Sequence, residues 1–142
     1  MVYLFIVKKA VTLYEQLRTY NYVANKFNYN TTDMNWIPLK SIEELNQIYK
    51  STETAVLFKH STRCPVSSMA KRSLEFDKDL IPVDLKFYYL DLIAYRDVSN
   101  KIVELWGVQH ESPQVLVVKG DKQIYNASHS DIEMRDIIAA IS

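Results

Sequence analysis

The most constraining feature of this sequence is a pair of short apolar runs with one amphipathic segment between them. Residues 54–58 (TAVLF) and 86–92 (KFYYLDL) have the length and composition of strands in the middle of a sheet. Pro65 suits the first position of a helix, where no amide hydrogen is needed. Apolar residues then recur at the spacing of one helix face: Val66, Met69, Ala70 and Leu74. A strand, a helix and a strand in this order predict a right-handed parallel βαβ unit.

The segments on either side extend this unit into a larger sheet. Residues 36–39 are typical of a short edge strand, since Pro38 cannot donate a hydrogen bond to a central ladder. Residues 114–118 follow Pro113 and predict a third apolar strand. Gly120 and Asp121 predict a hairpin turn that returns through residues 123–126.

Three more helices are predicted from their terminal residues. Ser41 and Glu44 form a capping box before one helix, and Ser130 and Glu133 form a second before the last helix. Asp97 is predicted to cap the helix that Gly107 ends. The expected fold class is therefore α/β, in the order βαβ, α, β-hairpin, α, with helices on both faces of a mixed sheet.

The first 33 residues differ from the rest, since they contain five of the ten tyrosines and end in the polar run 28–33 (NYNTTD). Such a run favours a boundary. We interpret residues 1–33 as an N-terminal extension, either a non-native start, because Met34 would make a natural beginning, or a poorly ordered segment. Residues 34–142 are expected to form one domain.

Composition excludes several classes of function. The 17 basic and 17 acidic residues balance, which gives no case for nucleic acid or an anionic membrane as partner. No apolar run approaches the ~20 residues that span a bilayer. Lys8 and Lys9 follow the apolar N-terminus, whereas a secretory signal places its charges first. The histidines share no metal-ligand spacing, so no metal site is expected. We expect a cytoplasmic protein.

The single cysteine, Cys64, is the candidate nucleophile. One cysteine cannot form a disulfide within the chain, and a lone thiol suits a reducing cytosol. A lone cysteine is commonly an inert buried residue. Cys64, however, lies where the first central strand has ended and the Pro65 helix begins. Unpaired amides and the helix dipole favour a thiolate there, and the thiolate is the form that attacks disulfides.

The neighbours of Cys64 allow more than one interpretation. Arg63, Lys59 and His60 can add positive field, although Arg63 and Lys59 can equally be solvated surface residues. Ser67 completes a C-x-x-S arrangement, in which serine replaces the second cysteine of a dithiol enzyme. Ser67 either donates a hydrogen bond to the thiolate or is a first-turn serine that bonds to the backbone.

The segments 54–70 (TAVLFKHSTRCPVSSMA) and 106–118 (WGVQHESPQVLVV) together resemble the monothiol bacilliredoxins. These are thioredoxin-like bacterial proteins that use bacillithiol in place of glutathione. The similarity runs from about Asn35 to Ile141, and the first 33 residues have no counterpart. The resemblance implies a thioredoxin-like fold, with the family's nucleophile at Cys64 and its cis-proline at Pro113. A trans proline at a strand start is the alternative for Pro113.

The resemblance also implies a reaction. Cys64 would remove bacillithiol from mixed disulfides on client proteins, supported by Arg63, Pro65 and Ser67. Bacillithiol is then a co-substrate rather than a tightly bound cofactor, and a second bacillithiol or another redoxin would restore the thiol. The implied protein is a monomeric thiol–disulfide oxidoreductase that acts in oxidative stress.

Three residues of the second segment are candidates for substrate binding. The backbone of Ser112 beside a cis Pro113 would pair with the extended chain of a client. Arg63 and His110 would pair with the malate carboxylates of bacillithiol. For His110, a loop residue without a ligand is the alternative.

Two other functions are compatible with the same residues. Monothiol glutaredoxins also carry C-x-x-S and share an iron–sulfur cluster between two chains. A non-catalytic thioredoxin-like adaptor would use Cys64 only to anchor a partner, or leave it inert.

Overall fold

A five-stranded mixed sheet forms the centre of the domain. The computed structural model describes residues 33–142, together with Thr12 and Gln16. The strands are β1 (Trp36–Pro38), β2 (Thr54–His60), β3 (Lys86–Asp91), β4 (Gln114–Lys119) and β5 (Lys122–Ser128). They are arranged in the order β1-β3-β2-β4-β5. The most apolar strands, β2 and β4, are therefore interior, and β1 with its proline lies at an edge, as predicted.

Pairing within the sheet is both parallel and antiparallel. Strand β3 runs parallel to β1 and to β2, which confirms the βαβ unit. Strand β4 runs antiparallel to β2 and places Gln114 opposite Lys59. The β4–β5 hairpin turns at Gly120, whose positive φ of 58° is a conformation that glycine tolerates. The α/β class and the mixed sheet are thus confirmed.

Within residues 34–142, four helices cover the sheet: α1 (Ile42–Lys50), α2 (Pro65–Phe76), α3 (Arg96–Trp106) and α4 (Met134–Ile141). Alternate residues of β2 point to opposite faces. Val56 and Phe58 pack with the buried residues of α2 and α4, whereas Ala55 and Leu57 pack with those of α1 and α3. Each face of the sheet therefore has its own apolar core.

The predicted caps are correct at the first helix and wrong at two others. Ser41 and Glu44 form the predicted capping box of α1. Helix α3 begins at Arg96 with Tyr95 as N-cap, because the Asp91 carboxylate accepts from amides of the preceding turn and starts the helix earlier. Asp97 therefore lies inside the first turn.

The start of the last helix also differs from the prediction. Helix α4 begins at Met134, and Glu133 is its N-cap without a side-chain cap bond. Ser130 lies instead in a 3₁₀ turn over His129–Asp131. The chain then runs extended through Ile132, which buries that side chain in the core. The start of α4 is therefore determined by the burial of Ile132, and the predicted second capping box does not form.

By contacts within the chain, Met34–Ser142 forms one compact unit. The expectation of a non-native or poorly ordered extension over residues 1–33 concerns residues that lie outside the described part, apart from Thr12, Gln16 and Asp33. Among the residues that are described, no helix is both long and apolar enough to cross a membrane.

Candidate active site

Cys64 lies at the junction that the sequence predicts, between the end of β2 and the start of α2. It is the N-cap residue of α2, and Pro65 is the first helical residue. The Cys64 amide donates to the Ser61 carbonyl at 3.2 Å, and its carbonyl accepts from Ser68 at 3.1 Å. The free thiol is half-buried, and its side chain makes no cap hydrogen bond to the helix. The backbone at Cys64 is therefore held by two hydrogen bonds, and the residue keeps part of its surface exposed.

The Ser112–Pro113 peptide bond is cis, as predicted. Pro113 is buried, and its carbonyl accepts from the His129 amide at 3.0 Å. Strand β4 begins at the next residue, Gln114, which pairs with Lys59 of β2. Cys64 follows the end of β2 closely, and Pro113 directly precedes the start of β4. Pro113 and Cys64 therefore lie at the same edge of the sheet, the one at which β2 ends and β4 begins.

Ser67 is fully buried and bonds to the end of β2. Its hydroxyl accepts from the Ser61 amide at 3.0 Å and lies 2.7 Å from His60 Nδ1. With the ring proton on Nε2, that hydroxyl donates to Nδ1. The thiolate-supporting role of Ser67 stays a prediction, since the structure gives its hydroxyl these two partners.

His60 does not add the positive field that its position suggests. The ring is buried, and burial lowers its pKa, with a further decrease from the nearby Lys71 charge. Imidazole with a lowered pKa is mostly neutral at pH 7. His60 therefore supports Ser67 rather than attracting anions.

Lys59 is a functional candidate that the sequence interpretation underestimates. It is not a solvated surface residue, because its exposed fraction is 0%. Its ammonium lies 2.6 Å from His110 Nδ1 and donates to Gln114 Oε1 at 3.1 Å. The burial of Lys59 could have been found from the alternation of side chains along β2. This alternation places Lys59 on the same covered face of the sheet as Ala55 and Leu57.

Gln114 extends this contact into the loop before the cis peptide bond. Its Oε1 also accepts from the Glu111 amide at 3.4 Å, and its Nε2 donates to the Gln109 carbonyl at 2.9 Å. One buried side chain thus bonds to both sides of His110. The two polar residues Lys59 and Gln114 therefore hold the loop that ends in Ser112.

The remaining predicted residues lie on the surface around this edge. Arg63 and Pro65 are exposed beside Cys64, and His110 is exposed on the α3–β4 loop. The Ser112 hydroxyl is buried, and it is the buried side-chain polar atom without a hydrogen-bond partner among the residues that the structure describes. Such an unpaired buried hydroxyl is uncommon in folded proteins.

Two apolar residues of α2 are exposed next to Cys64 and correct the predicted helix face. Val66 is 47% and Met69 is 68% exposed, whereas the buried positions of this helix are Ser67, Ala70 and Leu74. The predicted apolar face spans two sides of the helix: Ala70 and Leu74 face the core, and Val66 and Met69 face outward. The thiol is therefore bordered by apolar surface.

Within the described part of the chain, no group of three or more His, Cys, Asp or Glu side chains is placed to hold a metal ion. The site consists of one thiol, two separate buried polar groups and a surrounding surface with both apolar and basic side chains. One polar group joins Lys59 to Gln114 and the other joins Ser67 to His60.

Comparison with known proteins agrees with this geometry. The family model described as monothiol bacilliredoxin BrxC matches residues 37–137. A solved chain assigned as an oxidoreductase with a thioredoxin fold is 28% identical, has a TM-score of 0.65, and is matched over 94% of its length and 75% of this chain.

Two thioredoxins share the fold at lower identity. Thioredoxin from Trypanosoma brucei brucei is 12% identical with a TM-score of 0.62, covering 81% of this chain and 95% of its own. Thioredoxin from Malassezia sympodialis is 17% identical with a TM-score of 0.61, covering 80% and 95%. The fold is thus the thioredoxin fold, and the family match supports a function in thiol redox chemistry.

Proposed function

Since the chain belongs to the monothiol bacilliredoxin family, we propose that it removes bacillithiol from mixed disulfides on protein cysteines by using Cys64 alone. The observation that carries this proposal is the accessible thiol at the N-terminus of α2, at the same sheet edge as the cis Ser112–Pro113 bond. In this proposal the client protein binds to the surface around Cys64, and bacillithiol becomes bonded to the Cys64 sulfur.

The first step is a thiol–disulfide exchange. The Cys64 thiolate attacks the bacillithiol sulfur of the mixed disulfide, and the electron pair of the broken bond leaves with the client sulfur. The client is released as a thiolate, and bacillithiol is held on Cys64. Because the chain has one cysteine, no second thiol of its own can displace the bacillithiol.

The second step restores the enzyme with an external thiol. A second bacillithiol thiolate attacks the bacillithiol sulfur on Cys64, which forms bacillithiol disulfide and frees the Cys64 thiolate. Another redoxin can supply the attacking thiol in the same way. In this proposal bacillithiol is a co-substrate, the protein acts as a cytoplasmic monomer, and its clients are proteins oxidised under stress.

Substrate binding is assigned to the surface beside the thiol. The exposed Arg63 guanidinium suits one malate carboxylate of bacillithiol, and His110 assists with the other. The backbone of Ser112 pairs with the client's extended chain.

Intact-mass spectrometry tests the proposal directly. The protein is incubated with a client that carries one bacillithiol, and both masses are followed with time. We expect one bacillithiol adduct on Cys64 as the client loses its own, and no transfer to a Cys64→Ser variant. A client that stays modified in the presence of unmodified wild-type protein would refute the proposal.

The same preparation distinguishes the other two functions. Visible absorbance after anaerobic purification with bacillithiol would favour a cluster carrier over an exchange enzyme. Alkylation of Cys64 by iodoacetamide at pH 7 no faster than that of a free thiol in an unfolded peptide would favour an inert cysteine in an adaptor. We expect a colourless protein whose Cys64 is alkylated faster than the peptide.

A further inference from the structure

The buried Lys59 ammonium is the starting point of this inference. The side chain is completely buried on β2, and its hydrogen bonds go to the ring of His110 and the amide oxygen of Gln114. Neither bond is to a carboxylate. A buried ammonium without an anionic partner is costly, and titratable groups in such surroundings occur preferentially at functional sites.

The surrounding charges are mostly positive. Arg96, the first residue of α3, adds positive potential at both Lys59 and His110, and Glu111 opposes it at His110. Burial first, and then the Arg96 charge, lower the pKa of Lys59 to about 8. At pH 7 the amine is therefore still mainly charged.

Hydrogen-bond chemistry then determines where the proton of His110 lies. An ammonium group has donors and no acceptor, so His110 Nδ1 at 2.6 Å must accept from it. Burial, and after it the charges of Lys59 and Arg96, lower the pKa of His110, which favours the neutral ring. The neutral ring consequently carries its proton on Nε2, with Ser99 Oγ at 3.4 Å from Nδ1 as a second neighbour.

The direction of this donor is also fixed. Nδ1 faces the interior, where Lys59 lies, while His110 as a whole is exposed on the loop that ends in the cis Ser112–Pro113 bond. Nε2 is on the opposite side of the ring. Its N–H is therefore the outward donor, with a buried positive charge behind it, at the sheet edge that carries Cys64.

We propose that Lys59 is a positioning residue that fixes the Nε2–H tautomer of His110 and so makes this ring a donor for carboxylate-bearing disulfides reacting at Cys64. The inference rests on the proposed exchange at Cys64 and adds to it a preference for anionic substrates. The chemical step is unchanged: the Cys64 thiolate forms a new disulfide with one half of the substrate, and the other half leaves as a thiolate.

The first test compares two small disulfides, the disulfide of mercaptosuccinate, which carries carboxylates, and uncharged 2-hydroxyethyl disulfide. The rate of Cys64 adduct formation is measured with each, and the ratio of the two rates is reported, because ionisation of Cys64 cancels in this ratio. A hydrogen bond to a charged group is worth a factor of about tenfold or more. Because Lys59→Met removes the buried charge but leaves part of the His110 population with its proton on Nε2, we expect it to lower the ratio by about three- to tenfold.

The exposed Lys122 at the start of β5 provides the matched control. Lys122→Met removes the same charge from the chain and is expected to leave the ratio within about twofold. The same ratio is also measured in the wild-type protein as a function of pH, which needs no variant. It should fall between pH 7 and 9 as Lys59 loses its charge. An unchanged ratio in Lys59→Met, or a ratio in wild type that does not fall with pH, would overturn the inference.

Nitrogen-15 NMR of histidine-labelled protein tests the tautomer without any reaction. Ring signals of His110 are assigned by their loss in His110→Gln. We expect the proton on Nε2 in wild type, a mixture of tautomers in Lys59→Met, and a shift of the Nε2 signal when malate is added. A proton on Nδ1 would refute the inference.

The two proposals fail separately. If neither disulfide modifies Cys64, the proposed exchange is wrong, while the His110 tautomer and its response to malate still decide the role of Lys59. If both disulfides react but the ratio is insensitive to Lys59, the exchange stands and the positioning role is wrong.

Discussion

At the scale of single residues, Ser67 is the position where structure and chemistry suggest different roles. Its hydroxyl serves the Ser61 amide and the His60 ring from a fully buried site. Ser67→Ala leaves both of these partners unsatisfied. We expect it to lower the free energy of unfolding by about 1–3 kcal/mol, measured in urea.

The same variant decides whether Ser67 also supports the thiolate. If the main role of the Ser67 hydroxyl is to make these two hydrogen bonds, Ser67→Ala should change the rate of Cys64 alkylation by less than about twofold. That change corresponds to only ~0.4 kcal/mol in the activation free energy. Ser68→Ala, at a half-buried neighbouring position, is the control. A large loss of reactivity with unchanged stability would instead identify Ser67 as the donor to the sulfur.

Arg63 gives a second prediction at this scale. Its exposed guanidinium beside Cys64 is proposed to bind a carboxylate of bacillithiol. Arg63→Ala should slow removal of bacillithiol from a client by about fivefold or more, and slow reaction with 2-hydroxyethyl disulfide less. Arg72→Ala, on the exposed side of α2, should slow neither reaction. Equal slowing of both substrates by Arg63→Ala would exclude this role.

The residues of the site differ in how far sequence could reveal them. Cys64 and Pro113 could be found because a cysteine before a helix-starting proline, and a proline before a strand, are local patterns. The contacts of Lys59 could not, because Lys59 and His110 are 51 positions apart in sequence and meet only through the pairing of β2 with β4. Alternation along β2 could have indicated burial of Lys59 but not its partners.

At the scale of elements, α2 shows why spacing alone assigns a helix face only approximately. Val66, Met69, Ala70 and Leu74 fit a helical period, but the sheet covers the side that carries Ser67, Ala70 and Leu74. Pairing of β2 with its neighbours sets the direction from which the chain enters the helix. The exposed apolar side is therefore visible only once the sheet is formed.

The two sides of α2 predict opposite results from similar substitutions. Leu74 is completely buried, so Leu74→Ala should lower the free energy of unfolding by about 2–5 kcal/mol. Met69 is 68% exposed, so Met69→Ala should change it by no more than about 0.5 kcal/mol. Urea titration of both variants checks the pair. A similar loss from each would mean that Met69 is covered in solution.

At the scale of the whole molecule, the order of elements was predictable because short apolar runs alternate with amphipathic segments. The two wrong helix starts, at Asp97 and Ser130, have different causes. Before α3 a competing local interaction replaces the predicted cap, because the Asp91 carboxylate accepts from the amides of Ile93 and Ala94. Before α4 a tertiary contact does so, because Ile132 is buried in the core. Local capping signals therefore locate these helices to within a few residues only.

His60, His110 and Lys59 make the stability of the whole molecule depend on pH. Burial, with contributions from nearby positive charges, lowers the pKa of His60 and of His110 below the usual 6.5. The unfolded chain then binds more protons than the folded protein as pH falls through that value. Stability should therefore decrease as the pH is lowered from 7 to 5.

Lys59 extends the same dependence to alkaline pH. Burial lowers its pKa from 10.5 to about 8, so between these values the unfolded chain holds a proton that the folded protein has lost. Stability should therefore rise with pH from about 8 to 10, until Tyr89 and Tyr125, whose pKa values burial raises, oppose it. Urea titrations across this range should show the rise in wild type and in Lys122→Met but not in Lys59→Met. A flat wild-type profile would mean that the Lys59 amine keeps an ordinary affinity for its proton, which would contradict both the effect of its burial and the fall in the substrate ratio expected between pH 7 and 9.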